Sequence, residues 1–161
     1  VVFSTAVEND NPDLLRARAM DKPIRHRAKM LASLVEDRTC VAIAGTCGKT
    51  TTTGMTGWIL EAAGMDPFVV NGGAVLNWRD EKSVGNVRPG KSGLWVVEVD
   101  ESDRSLLEFS PDTALITNIA KDHFNLEETE ALFRKFAGQV KKNTLGCFGT
   151  PSRDDILKDF H

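Results

Sequence analysis

Thr39 to Ala44 (TCVAIA) is almost wholly apolar and rich in β-formers, and it runs directly into Gly45-Thr46-Cys47-Gly48-Lys49-Thr50-Thr51-Thr52-Thr53. No other stretch constrains the chain as much. A buried strand that turns on glycines into a helix belongs to a parallel sheet covered on both faces. Glycines let the backbone wrap an anion and aim N–H groups at it. The start of the helix adds roughly half a positive charge. Lys49 adds a whole one, in reach of β- and γ-phosphates, and the Thr50 hydroxyl is placed to ligate a bridging Mg²⁺. The general pattern G-x-x-x-x-G-K-[ST] would need glycine at position 43, where Ile43 stands. The stretch therefore reads as a shortened phosphate loop, against the plainer reading of a glycine-rich turn with a surface lysine.

The rest of the chain alternates helix and strand signals. Asn11-Pro12 predicts a capped helix start, and Lys22-Pro23 breaks that helix. Met30, Leu31, Leu34 and Val35 predict a helix over Arg27 to Glu36. A helix is predicted from Thr50 to Ala63, stopped by Gly64, followed by a strand at Phe68 to Val70 ending at Gly72-Gly73. Residues 77 to 92 are polar and read as a loop or hairpin. Leu94 to Val99 and Ala114 to Thr117 read as central strands. A helix is predicted over Glu127 to Lys142, with Leu132, Phe136 and Val140 on one side. Leu145 to Phe148 reads as a strand, and Ser152 as the cap of a last helix toward Phe160. The fold class is α/β, a mostly parallel sheet with helices on both faces, similar to the phosphate-loop nucleoside triphosphatases. Ligands of such sheets sit outside the carboxyl ends of the strands.

Two further strand ends are polar. Glu98, Asp100, Glu101 and Asp103 fall within six residues at the end of the third predicted strand. A solvated acidic turn is the bland reading, but Glu98 lies inside the apolar strand, where an unpaired carboxylate is costly. It reads as an Mg²⁺ ligand, with a structural ion pair as the alternative. His123 follows Thr117-Asn118-Ile119-Ala120-Lys121-Asp122 at the next strand end. It is either a polar surface residue or a group that binds a divalent metal or a phosphate-bound water. Lys49 and Thr50, Glu98 and His123 together suggest an ATP–Mg²⁺ site.

A net charge of −3 argues mildly against a nucleic-acid surface or a basic membrane anchor. No apolar run approaches the roughly 18 residues of a membrane span. Three cysteines without paired spacing fit reduced thiols and a cytoplasmic location. Cys47, at a helix start beside a lysine, is expected to be either a reactive thiol or a small buried filler. Residue 1 is not Met, and the natural start is expected to lie upstream.

The loop GTCGKTTTT resembles the GT(H/N)GKTTT loop of the Mur ligases, ATP-dependent amino-acid ligases of peptidoglycan synthesis. EVDESDRSLLEFSP is similar to the EADESD stretch of the branch that adds L-alanine to UDP-N-acetylmuramate, and TNIAKDH to its TNI-x-x-DH. The opening VVFSTAVENDNPDLLRARAMDKPIRHRAKMLASL is similar to the end of the family's N-terminal domain. The resemblance reaches to about Asn143, and Asp154-Asp155 weakly echoes a later acidic pair. It implies the fold of the family's central domain and a carboxylate–amine ligase. ATP would phosphorylate a carboxylate to an acyl phosphate, which the amine of an amino acid would attack.

By position in those motifs, Lys49 would hold the phosphates, and Gly45, Thr46, Cys47, Gly48, Thr50 and Thr51 would line them. Thr50 and Glu98 would ligate Mg²⁺, and His123 a second Mg²⁺. Cys47 replaces the usual His or Asn, Asn125 stands where Asp is frequent, and Lys121 puts a positive charge beside the metal site. Residues 1–37 are expected to be the end of the N-terminal domain and a linker, and 38–161 part of the central ATP-binding domain. Such a piece is expected to be unable to complete ligation alone. A related ligase that recycles a whole tripeptide onto UDP-N-acetylmuramate, and a non-catalytic nucleotide-binding module, are the alternatives.

Overall fold

The computed structural model describes residues 1–121 and 123–146. In chain order they form β1 (Val2–Phe3), α1 (Pro12–Ala19), β2 (Arg25–His26), α2 (Arg27–Val35), β3 (Thr39–Ala44), α3 (Lys49–Ala62), β4 (Phe68–Val70), β5 (Val87–Arg88), β6 (Leu94–Glu98), β7 (Thr113–Ile116), α4 (Leu126–Ala137) and β8 (Asn143–Gly146). Short 3₁₀ turns lie at Leu76–Trp78 and Ser105–Glu108. β1 and β2 pair in a small parallel sheet, and the other six strands form one sheet in the order β5-β4-β6-β3-β7-β8. β3 lies at its centre, with Val41 opposite Val96 on one side and Thr113 on the other. Only β5 is antiparallel to its neighbour in this sheet. The expected mostly parallel α/β architecture is what forms.

The pleat sorts the strand residues between two cores, because successive side chains alternate across a sheet. Cys40, Ala42, Ala44, Val97, Val99, Ala114 and Ile116 pack with Ala28 and Val35 of α2 and Leu132, Phe133 and Phe136 of α4. Val41, Ile43, Val96 and Leu115 face the other way and pack with Leu60 of α3. Glu98 shares the parity of Val96, so the same alternation turns it toward α3 and the loop that precedes it.

Asn11 caps α1 by accepting from the backbone of Asp13 and Leu14, with Pro12 at the first helical position. Asn125 caps α4 by accepting from Glu128 N at 2.9 Å. After Lys49, α3 runs through four threonines, each a weak helix former. Its packing on the sheet overrides that local cost. α4 ends at Ala137 rather than running to Lys142. The chain leaves the helix at Gly138, and Lys141 N and Lys142 N bond to Pro111 O and Asp112 O, each at 2.9 Å. That turn starts β8 at Asn143, two residues before the predicted strand; Cys147, Phe148 and the helix predicted from Ser152 lie outside the described residues. β1 and β2 are too short to have shown a periodicity in the sequence.

Candidate active site

The β3–α3 loop is clamped from the end of β7. Thr117 Oγ1 donates to Cys47 O at 2.6 Å. The Asn118 side-chain amide brackets the same residue, accepting from Cys47 N at 3.1 Å and donating to Cys47 O at 2.8 Å. Thr46 N donates to Asn118 O at 3.1 Å, and Thr46 Oγ1 accepts from Ala120 N at 2.8 Å. The buried Gly45 has a φ of 133°, and a Cβ there would overlap Thr117 Oγ1. Gly48 caps α3 without any side-chain bond, and the first amide to bond within this turn is Thr52 N, to Gly48 O at 2.9 Å. The amides of Lys49, Thr50 and Thr51 therefore belong to the exposed start of the helix, where donors and dipole together favour an anion.

Two carboxylates reach consecutive residues of this loop. Thr50 Oγ1 donates to Glu98 Oε1 at 2.9 Å, and Gly72 N donates to Glu98 Oε2 at 2.7 Å. A Cβ on Gly72 would come within 2.8 Å of that second oxygen, so a side chain here would push the Glu98 carboxylate out of this position. Lys49 Nζ lies 2.7 Å from Glu101 Oε2, with Lys49 14% and Glu101 3% exposed. Lys49 Nζ also donates to Gly45 O at 2.8 Å and Thr46 O at 3.4 Å.

The turn that carries Glu101 is itself tied down. Arg104 N donates to Glu101 O and Leu106 N to Asp100 O, both at 2.9 Å. Burial alone would raise the Asp103 carboxyl, but hydrogen bonds from Ser105, with His26 and Arg27 nearby, hold it below the ordinary range.

Lys49, Thr50 and Glu98 thus meet at the carboxyl ends of β3 and β6. His123 is exposed in the loop between β7 and α4, at the same edge of the sheet. Lys49 is held by Glu101, Gly45 and Thr46, and Glu98 by Thr50 and Gly72. Cys47 is exposed, which removes the reading of a buried filler. Sequence reasoning missed Glu101 as an individual, the Thr117–Asn118 clamp, and the role of Gly72. The doublet Gly72-Gly73 after an apolar strand was the one available signal.

Thr50 and Glu98 are hard oxygen donors, the set Mg²⁺ takes when phosphates and waters complete its shell. Among the described residues no group of three or more His, Cys, Asp or Glu could enclose a metal. Glu98 lines a cavity of about 560 Å³ and Thr50 one of about 460 Å³. The first is lined by Arg27, Leu31, Val70, Asn71, Gly72 and Glu98 among others, the second by Thr50, Thr51, Trp58 and Asn71 among others. Both fall in the size range of small-molecule sites. Among the described residues no helix is long and apolar enough to cross a membrane.

Residues 43–144 match the Mur ligase middle domain. The UDP-N-acetylmuramate–L-alanine ligase of Carboxydothermus hydrogenoformans is 40% identical over 153 residues, covering 92% of this chain and 32% of that protein. The ligase of the same name from Thermosynechococcus vestitus is 42% identical, covering 98% of this chain and 33% of that protein. The crystal structure of the Thermotoga maritima UDP-N-acetylmuramate–alanine ligase superposes with a TM-score of 0.79 at 32% identity, over 89% of this chain and 34% of that one. This chain spans about a third of the length of each of these relatives.

Proposed function

Because this chain belongs to the Mur ligase family, we propose that it supplies the ATP–Mg²⁺ site of a ligase joining L-alanine to the carboxylate of UDP-N-acetylmuramate in peptidoglycan precursor synthesis. Residues 38–161 would then belong to the central domain, and residues 1–37 to the end of the domain before it. A reaction on a nucleotide sugar that uses ATP fits a cytoplasmic location. The observation that carries the reading is the Thr50–Glu98 hydrogen bond of 2.9 Å, at the residue that follows Lys49 in the loop. A hydroxyl that follows the loop lysine and a strand-end carboxylate share one small space, the requirement for holding a phosphate-bound cation.

When bound, Mg–ATP supplies the phosphoryl group that converts a carboxylate to an acyl phosphate. The chain's own contribution is positioning and charge. The amides at the start of α3 hold phosphate oxygens. Lys49 stabilises charge on the transferring group, and Thr50 and Glu98 ligate Mg²⁺. His123 is assigned to a second Mg²⁺. The acceptor carboxylate is assigned to the cavity of about 560 Å³ that Glu98 lines.

The test has two parts. Titration calorimetry of the chain with Mg–ATP should show binding that Lys49→Ala weakens. The full-length enzyme should release phosphate only when UDP-N-acetylmuramate and L-alanine are both present. Release with a tripeptide but not with L-alanine would move the assignment to the recycling ligase. Binding with no release by the full-length protein would leave only a nucleotide-binding module.

A further inference from the structure

We propose that Glu101 is a positioning residue for Lys49: its buried carboxylate keeps the ammonium seated at the mouth of the phosphate loop and gives way to a phosphate oxygen when nucleotide binds. The inference rests on the nucleotide reading of the loop. Glutamate is almost never this buried unless it is paired. Glu101 is 3% exposed, and its Oε2 lies 2.7 Å from Lys49 Nζ, the length of a charge-assisted hydrogen bond.

An ammonium has three donors. Those of Lys49 go to Gly45 O at 2.8 Å, Thr46 O at 3.4 Å and Glu101 Oε2 at 2.7 Å. A phosphate oxygen can gain a bond from Lys49 only by replacing one of these acceptors. The two carbonyls are part of the loop itself, and the Thr117–Asn118 clamp holds that loop in shape. Glu101 comes from a different segment, the turn after β6, and carries charge of the same sign as a triphosphate. Glu101 is therefore the acceptor that yields.

Its role is distinct from that of Glu98, three positions earlier, whose two oxygens are taken by Thr50 and Gly72 N. One carboxylate serves the hydroxyl and the other the ammonium of consecutive loop residues. The arrangement keeps Lys49 in place at the loop mouth, and it also sets a threshold that the nucleotide must exceed.

Glu101→Gln keeps the side-chain shape and removes the charge. The affinity of the chain for Mg–ADP and Mg–ATP, measured by calorimetry, should tighten about tenfold, the order of one charged hydrogen bond. In a Lys49→Met background the same change should leave affinity unaltered. Loss of a merely structural contact would not tighten binding. Equal or weaker binding by folded Glu101→Gln, or the same gain without Lys49, overturns the proposal while the nucleotide reading stands. Absence of binding by the wild-type chain overturns both. A crystal structure of the wild-type chain with Mg–ADP needs no variant and so decides the matter even if Glu101→Gln does not fold. It should show Lys49 Nζ on a phosphate oxygen and out of hydrogen-bond reach of Glu101, and persistence of the 2.7 Å contact with ADP in place overturns the proposal.

Discussion

Gly45 and Thr117 share one space: the hydroxyl of Thr117 lies where a side chain on residue 45 would begin, and it donates to Ala44 O at 3.2 Å and Cys47 O at 2.6 Å. The end of β7 thereby shapes a loop whose Cys47 lies 70 residues earlier in the chain. Gly45→Ala would add a methyl group into that hydroxyl at a backbone φ of 133°. Strain of this kind costs about 1–3 kcal/mol, and the clash adds to it. The variant should melt earlier than wild type and lose Mg–ATP binding. Thr117→Ala removes the closest obstacle but neither the strain nor the crowding by Thr117 N and Asn118 N, so Gly45→Ala with Thr117→Ala should recover part of the stability. Thermal denaturation of the three variants checks this; no recovery in the double variant would mean that the overlap is not the cause.

Glu98 and Thr50 supply the oxygens assigned to Mg²⁺, so their removal should act on metal dependence more than on the fold. Glu98→Gln keeps one acceptor oxygen for Gly72 N and offers its amide N–H to the Thr50 hydroxyl, but loses the charge. The gain in ATP affinity on adding Mg²⁺ should fall by at least about tenfold, the order of one charged contact. Binding measured with EDTA present should change much less. Equal losses with and without Mg²⁺ would assign Glu98 to loop architecture instead.

The two described cysteines should differ in reactivity. Burial, then the neighbouring Asp112 carboxylate, push the Cys40 thiol up to about 12, while Cys47 is exposed on the loop. At neutral pH Cys40 holds almost no thiolate, the reactive form. Iodoacetamide should modify Cys47 and spare Cys40 in the folded chain, as peptide mass spectrometry can read. Mg–ATP should slow modification of Cys47, and an unchanged rate at saturating nucleotide would count against placing phosphates at this loop.

How much of this could be read beforehand depended on whether the deciding contact is local. β3, β6 and β7 are buried on both faces, so their apolar runs were legible. Glu98 stood out because it is a charge inside such a run. Glu101 did not, because it is one of four carboxylates in a polar turn and its partner lies 52 residues away. Thr117 and Asn118 look like ordinary polar residues at a strand end until β7 is set beside β3. α4 was extended too far because Val140 continues its apolar side. The bonds that end the helix run to the segment before β7, which helical spacing cannot reveal.

Asp112 ties the amino ends of three strands together, and its charge should show in the acid limb of stability. Its Oδ2 accepts from Cys40 N at 2.9 Å at the start of β3, and its Oδ1 lies 3.0 Å from Lys142 Nζ before β8. The bond from Cys40 N, then the one from Lys142, hold the carboxyl below its ordinary range. A carboxyl lowered by folding stabilises the native state above its unfolded value, about 3.9. That contribution fades as pH falls through the lower folded value, so the window lies below about pH 4. Asp112→Asn should cost about 1 kcal/mol at pH 7, where one charged hydrogen bond is weakened. Below the window the wild-type side chain is also neutral, so the stabilities of the two proteins should converge. Urea denaturation of both from pH 7 to pH 3 checks the sign: curves that stay parallel to the acid end would show that the loss is one of shape and not of charge.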